Sequence, residues 1–167
     1  MSNPISRMMA RGIAKGMPYR RFGKTEWMVS AIGLGCAPFG DLYGTFPHSE
    51  KRKVVQFALE SGINIIDTSP FYGETASETN VGLCLRELSG DHPRNGYYLC
   101  TKMGRYSGDH FDFSGKMVEE SIQHSMERLQ TDYLDLVSIH DFEFAGYYPD
   151  DKKVKCMGSS NHKNIME

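Results

Sequence analysis

Three apolar stretches of the chain stop on a polar group. The segment "NIIDTSPFYGE" (64–74) runs into Asp67, "GYYLCTKMG" (96–104) into Lys102, and "YLDLVSIHD" (133–141) into His140. Tyr72 follows Asp67 by five residues. A tyrosine ionises near about pH 10 and is a weak acid–base catalyst at neutral pH. An ammonium beside it favours the phenolate. A carboxylate would hold that ammonium charged and in place, and an imidazole would donate a hydrogen bond to a substrate oxygen. Asp67, Tyr72, Lys102 and His140 together suit proton transfer to or from an alcohol or carbonyl oxygen. The set contains no hydride carrier, so a nicotinamide cofactor, NAD or NADP, is implied. Singly, each residue has a plainer role: a cap, a surface charge, a packing ring. The remaining histidines, His48, His92, His110, His124 and His162, are assigned such structural roles.

The four residues can meet only if their strands run parallel. "GMPYRRFGKTEWMVSAIGLG" predicts a hairpin around Gly23 leading into an apolar strand. Strands are expected near 29–36, 62–67, 96–102 and 133–139, and helices near 50–61, 76–89 and 115–130. Ser49 and Ser77 are the expected N-caps. The inward stripes are expected to be Val54, Phe57 and Ala58, then Val81, Leu85 and Leu88, then Met117, Ile122, Met126 and Leu129. Alternation of strand and helix implies parallel crossovers and an α/β sheet. In such sheets ligands bind at the C-terminal ends of the strands, where Asp67, Lys102 and His140 fall.

Composition narrows the function classes. The chain has 167 residues and a formal charge of −2. That is one domain's length, without the basic excess of a nucleic-acid binder. No apolar run approaches the ~20 residues of a membrane helix. None of the four cysteines, Cys36, Cys84, Cys100 and Cys156, stands in a C-x-x-C spacing, so neither a metal site nor a redox dithiol is indicated. Free thiols point to a reducing, cytoplasmic setting. Residues 1–16 are basic and acid-free, lack a secretory core, and are expected to form a flexible leader; a mitochondrial presequence is the other reading. Two lookalikes fail. "GLGCAP" has Pro38 at the third glycine of G-x-G-x-x-G, and "YPDDK" (148–152) lacks the helical pattern of a Y-x-x-x-K pair.

"DTSPFYG", "TK" at the end of the next strand and "IHD" at the end of the one after resemble the aldo-keto reductases. That resemblance implies a (β/α)8 TIM barrel with an N-terminal β-hairpin and a catalytic tetrad at Asp67, Tyr72, Lys102 and His140. Glu26 stands where the family's hairpin usually has a glycine. "GLGCAPFGDLYG", "CTKMGRYSGDHFDFSG" and "ERLQTDYLDLVSIHDFEF" are similar to a subgroup, the L-galactose dehydrogenase-like sugar dehydrogenases, over about residues 18–144. The implied reaction is oxidation of an aldose at its anomeric carbon, with hydride transfer to NAD or NADP and Tyr72 as the acid–base group. Cofactor contacts are implied at Cys36, Ala37 and Asp67, and at Ser160 and Asn161 in a segment resembling the family's fifth strand.

A complete barrel has eight strands and typically about 250 residues. Residues 17–144 are therefore expected to be the N-terminal half of a barrel, and 145–167 an atypical tail holding the candidate fifth strand. Residues 142–153, "FEFAGYYPDDKK", lack a helical stripe where a crossover helix belongs. On this reading the form is truncated. Weak dinucleotide binding and self-association through open barrel edges are expected. A non-catalytic cofactor-binding or interaction fragment is the alternative function.

Overall fold

The computed structural model describes residues 3–107 and 110–145. It opens with helix α1, Pro4–Ala14, where the sequence predicts a flexible leader. Local chemistry explains the difference. The Asn3 side chain accepts the Ile5 N–H at 3.1 Å, and Pro4 sits in the first turn, where its missing N–H costs nothing. Met8 is buried in the core. Gly12 lies so close to the next layer that a Cβ would stand 2.0 Å from the Tyr19 hydroxyl and 3.0 Å from Gly62 Cα. Tyr19 donates to the Gly62 carbonyl at 2.6 Å, and Lys15 to that of Glu60 at 2.8 Å.

Strands β1 (Tyr19–Arg21) and β2 (Met28–Ser30) form the antiparallel hairpin. Glu26 pairs with Arg21 across it at 2.6 Å, and Phe22 stacks on Trp27. The expected strand 29–36 is divided. Its first part belongs to the hairpin, and the barrel strand β3 is only Leu34–Gly35. Asn64 fastens the hairpin to the start of β4 (Ile65–Asp67). Fully buried, it accepts the Ser30 N–H at 2.7 Å and donates to the Met28 carbonyl at 2.8 Å.

Strands β3, β4 (Ile65–Asp67), β5 (Tyr98–Met103) and β6 (Leu136–Ile139) form one parallel sheet in that order. Helices α2 (His48–Glu60), α3 (Ala76–Glu87) and α4 (Gly115–Leu129) connect them. This is the architecture of a partial (β/α)8 barrel. Ile66 and Leu99 of the sheet pack with Val55 and Leu59 of α2, Val81, Cys84 and Leu85 of α3, and Leu129 of α4. Val81, Leu85 and Leu88 face inward as expected. On α2 the stripe is displaced by one residue. Val55, Ala58 and Leu59 are buried, while Val54 and Phe57 are 47% and 73% exposed. On α4 Leu129 is buried, whereas Met117, Ile122 and Met126 are half-buried beside the fully inward Ser121 and Ser125.

Neither expected cap is a cap. α2 begins at His48, after Pro47. Ser77 lies inside α3, and its buried hydroxyl donates to the Cys36 carbonyl at 2.6 Å, joining α3 to the turn after β3. Glu78, fully buried, accepts from Thr101 at 2.6 Å and from Arg128 at 2.7 Å, tying α3 to β5 and α4. After β6 a single 3₁₀ turn, Phe142–Phe144, is described. The candidate fifth strand lies outside the described residues. Among the described residues no helix is long and apolar enough to cross a membrane.

Candidate active site

Parallel register brings the polar ends to one rim. Gly35 pairs with Asp67, Asp67 with Cys100, and Lys102 with Ser138, two residues before His140. Asp67 closes β4, Lys102 lies one residue before the end of β5, and His140 follows β6 directly. The Lys102 ammonium donates to both Asp67 oxygens, at 2.6 and 2.5 Å, and to the Thr68 carbonyl at 2.9 Å. Its side chain is 14% exposed and that of Asp67 43% exposed, so the lysine is sheltered and the carboxylate opens to the rim.

Tyr72 is held by a tight turn. Its N–H donates to the Ser69 carbonyl, and its own carbonyl accepts from Ser77 N–H. Gly73 takes φ +61 and approaches Gly40 so closely that a Cβ on it would stand 2.0 Å from the Gly40 carbonyl. A side chain at either position would push the two loops apart. The turn places the Tyr72 ring centroid 5.0 Å from the Lys102 ammonium and 5.6 Å from the His140 ring, edge-on at 88°.

His140 is buried, 6% exposed. Its Nδ1 lies 3.0 Å from Ser69 Oγ, and its Nε2 lies 3.5 Å from Asp141 Oδ2. Burial is the main cause holding its pKa below the ordinary imidazole value. Lys102 and Arg105 push the same way, and Asp141 opposes. Arg105 pairs with Asp141 and lies 3.8 Å over the Phe71 ring.

A family model described as the aldo/keto reductase family matches residues 31–158. The chain belongs to the aldo/keto reductase family. It is 44% identical over 125 residues to an L-galactose dehydrogenase of Arabidopsis thaliana, covering 75% of this chain and 38% of that one. It is 42% identical over 140 residues to a D-arabinose 1-dehydrogenase of Saccharomyces cerevisiae, covering 83% and 41%. A holo-form aldo-keto reductase of Bacillus halodurans superposes with a TM-score of 0.63 at 31% identity, over 74% of this chain and 40% of that one. The chain thus spans about two fifths of the length of the relatives it matches.

In this aldo/keto reductase chain the four sequence-predicted residues Asp67, Tyr72, Lys102 and His140 come together at one rim. Of the expected cofactor contacts, Cys36 has its side chain and backbone polar groups engaged within the fold. It is fully buried, its N–H donates to the Asp67 carbonyl at 2.8 Å, its carbonyl is taken by Ser77, and burial raises its thiol far above the usual range. Ala37 remains partly open. Ser160 and Asn161 lie outside the described residues. Sequence reasoning missed Ser69, Arg105 and Asp141. Asp141 and Ser69 stand inside the quoted motifs, but their partners are 36 and 71 residues away, and no local pattern encodes such pairs.

The residues present fit a hydride-accepting dinucleotide. They can move a proton but no electrons. Gly35, which shares a sheet face with Asp67 across the β3–β4 pair, has nothing within 4 Å of the place a Cβ would occupy. Among the described residues no group of His, Cys, Asp or Glu could hold a metal.

Proposed function

We propose that this chain carries the acid–base site of an NAD(P)-dependent aldose 1-dehydrogenase acting on an L-galactose-like sugar. The observation that carries the reading is the sheltered Lys102 ammonium, bonded to both Asp67 oxygens while standing 5.0 Å from the Tyr72 ring. The comparisons support the substrate class: an L-galactose dehydrogenase, a D-arabinose 1-dehydrogenase and a D-threo-aldose 1-dehydrogenase are among the relatives.

Asp67 and Ala37 would hold the nicotinamide, which would supply the acceptor for the hydride of the anomeric carbon. The chain's own residues handle the proton. Tyr72 Oη takes it from the C1 hydroxyl as the C–H bond breaks. The Lys102 ammonium stands 5.0 Å from the ring that carries that oxygen, and Asp67 holds the ammonium in place through both carboxylate oxygens. His140 donates a hydrogen bond to the reacting oxygen and holds it near Tyr72. The products are the sugar lactone, a reduced nicotinamide and a protonated tyrosine, which returns its proton to water.

The test is a hybrid in which this chain's matching stretch replaces that of the Arabidopsis thaliana L-galactose dehydrogenase, which supplies the rest of its barrel. Nucleotide reduction with L-galactose above a no-sugar control supports the reading. A folded hybrid that binds dinucleotide yet oxidises no aldose of a panel contradicts it.

A further inference from the structure

Ser69 is fully buried, and its hydroxyl makes two contacts. The Phe71 N–H donates to its oxygen at 3.1 Å, and His140 Nδ1 stands 3.0 Å away. The oxygen is already an acceptor for Phe71, so the open question is where its own proton goes. A buried hydroxyl with an unused donor is costly. Among the described residues the Ser69 hydroxyl has no acceptor other than His140 Nδ1. It therefore donates there, and Nδ1 must be the unprotonated nitrogen.

The surroundings of the other ring nitrogen agree with this without imposing it. Nε2 faces the Asp141 carboxylate at 3.5 Å, which favours a proton on Nε2 but is too long for a good hydrogen bond. That carboxylate is itself engaged by Arg105. The Nε2 proton is thus attracted to its position but not consumed there. Burial, which lowers the His140 pKa, keeps the ring neutral and the choice between nitrogens meaningful.

We infer that Ser69 is a positioning residue that fixes His140 as its neutral, Nε2-protonated tautomer, so that the ring offers a donor to the substrate oxygen. Asp141, held by Arg105, reinforces the choice. The inference rests on the reading of His140 as a hydrogen-bond donor in the proposed reaction. The tautomer itself is read without turnover, so the two can fail separately.

The experiment is nitrogen-15 NMR of the imidazole rings in the full 167-residue chain near pH 8, with His140→Gln identifying the resonances. The expected spectrum has a pyridine-like Nδ1 and a pyrrole-like Nε2 for His140. Ser69→Ala should replace this single tautomer by an averaged mixture of both, and Ser69→Thr, which keeps the hydroxyl, should restore it. A pyrrole-like Nδ1 in the unaltered chain overturns the inference, and that spectrum decides even if a variant fails to fold. A folded Ser69→Ala with the tautomer unchanged also overturns it.

Discussion

The Lys102 ammonium lies 2.6 and 2.5 Å from the two carboxylate oxygens of Asp67, yet the two partners are unequally buried, at 14% and 43% exposure. Removing either one should therefore cost different amounts. Asp67→Ala leaves a sheltered ammonium with the Thr68 carbonyl as its remaining acceptor among the described residues, and should destabilise by about 2 kcal/mol. Lys102→Met leaves a carboxylate that water reaches, and should cost less than about 1 kcal/mol. Urea denaturation of the two variants checks the order.

Gly40 couples the first loop to the Tyr72 turn. A Cβ there would stand 2.6 Å from the Tyr72 carbonyl and 2.8 Å from the Gly73 N. Backbone atoms cannot swing aside as a flexible side chain can. In the hybrid enzyme Gly40→Ala should lower turnover by at least about tenfold through displacement of Tyr72, since small misplacements of a reacting group are expensive. Gly35→Ala, with open space at the corresponding point, should not disturb the fold, and thermal melting will separate the two.

Acid should weaken the fold through two histidines. Burial holds His140 and His92 below their ordinary value of 6.5, and Arg11 adds to the effect at His92. With folded-state values below unfolded ones, the unfolded chain binds more protons in the window beneath 6.5. Stability is then full above that value and falls as the pH drops through it. Denaturation midpoints measured from pH 7.5 to 5 should decline, and His92→Gln should flatten part of the slope. A midpoint that does not change with pH would contradict both assignments.

The outer edges of β3 and β6 have no neighbouring strand among the described residues, and Ile139 at the end of β6 and Phe142 and Phe144 after it are 37%, 39% and 47% exposed. Unpaired edges with apolar neighbours template pairing. The 167-residue chain should elute as dimers or larger species when chromatography is coupled to light scattering, and calorimetry should find dinucleotide binding weaker than micromolar. A monomer at every concentration with tight binding would contradict this expectation.

The gathering of the proposed proton-transfer residues at one rim was legible in the sequence because it is written at strand ends. An apolar β run that stops on Asp67, Lys102 or His140 fixes both the residue and its place, and parallel topology then does the assembling. The helices were legible for the same reason of period, and so was the inward face of α3, but not that of α2. On α2, Val54 and Phe57 are apolar yet point outward, and buried Lys51 is paired with Asp41 at 2.8 Å, a contact set by a loop fold rather than by spacing. Residues 4–14 looked like a leader because they are basic. Their helix depends on Asn3 as a cap and on a glycine contact with Gly62, far along the chain. Ser69, Asp141 and Asn64 act through long-range polar contacts, which leave no periodic trace.

The central claim is that Tyr72 is the proton-transferring group of the rim that Asp67, Lys102 and His140 complete. Its most direct test is Tyr72→Phe in the hybrid enzyme, with the rate of aldose oxidation and the dissociation constant of the dinucleotide measured on the same sample. The ring would remain against Lys102 and His140, and only the oxygen would be lost. The expected result is a fall of about a thousandfold or more in kcat with cofactor affinity nearly unchanged. Turnover equal to that of the unaltered hybrid would contradict the claim.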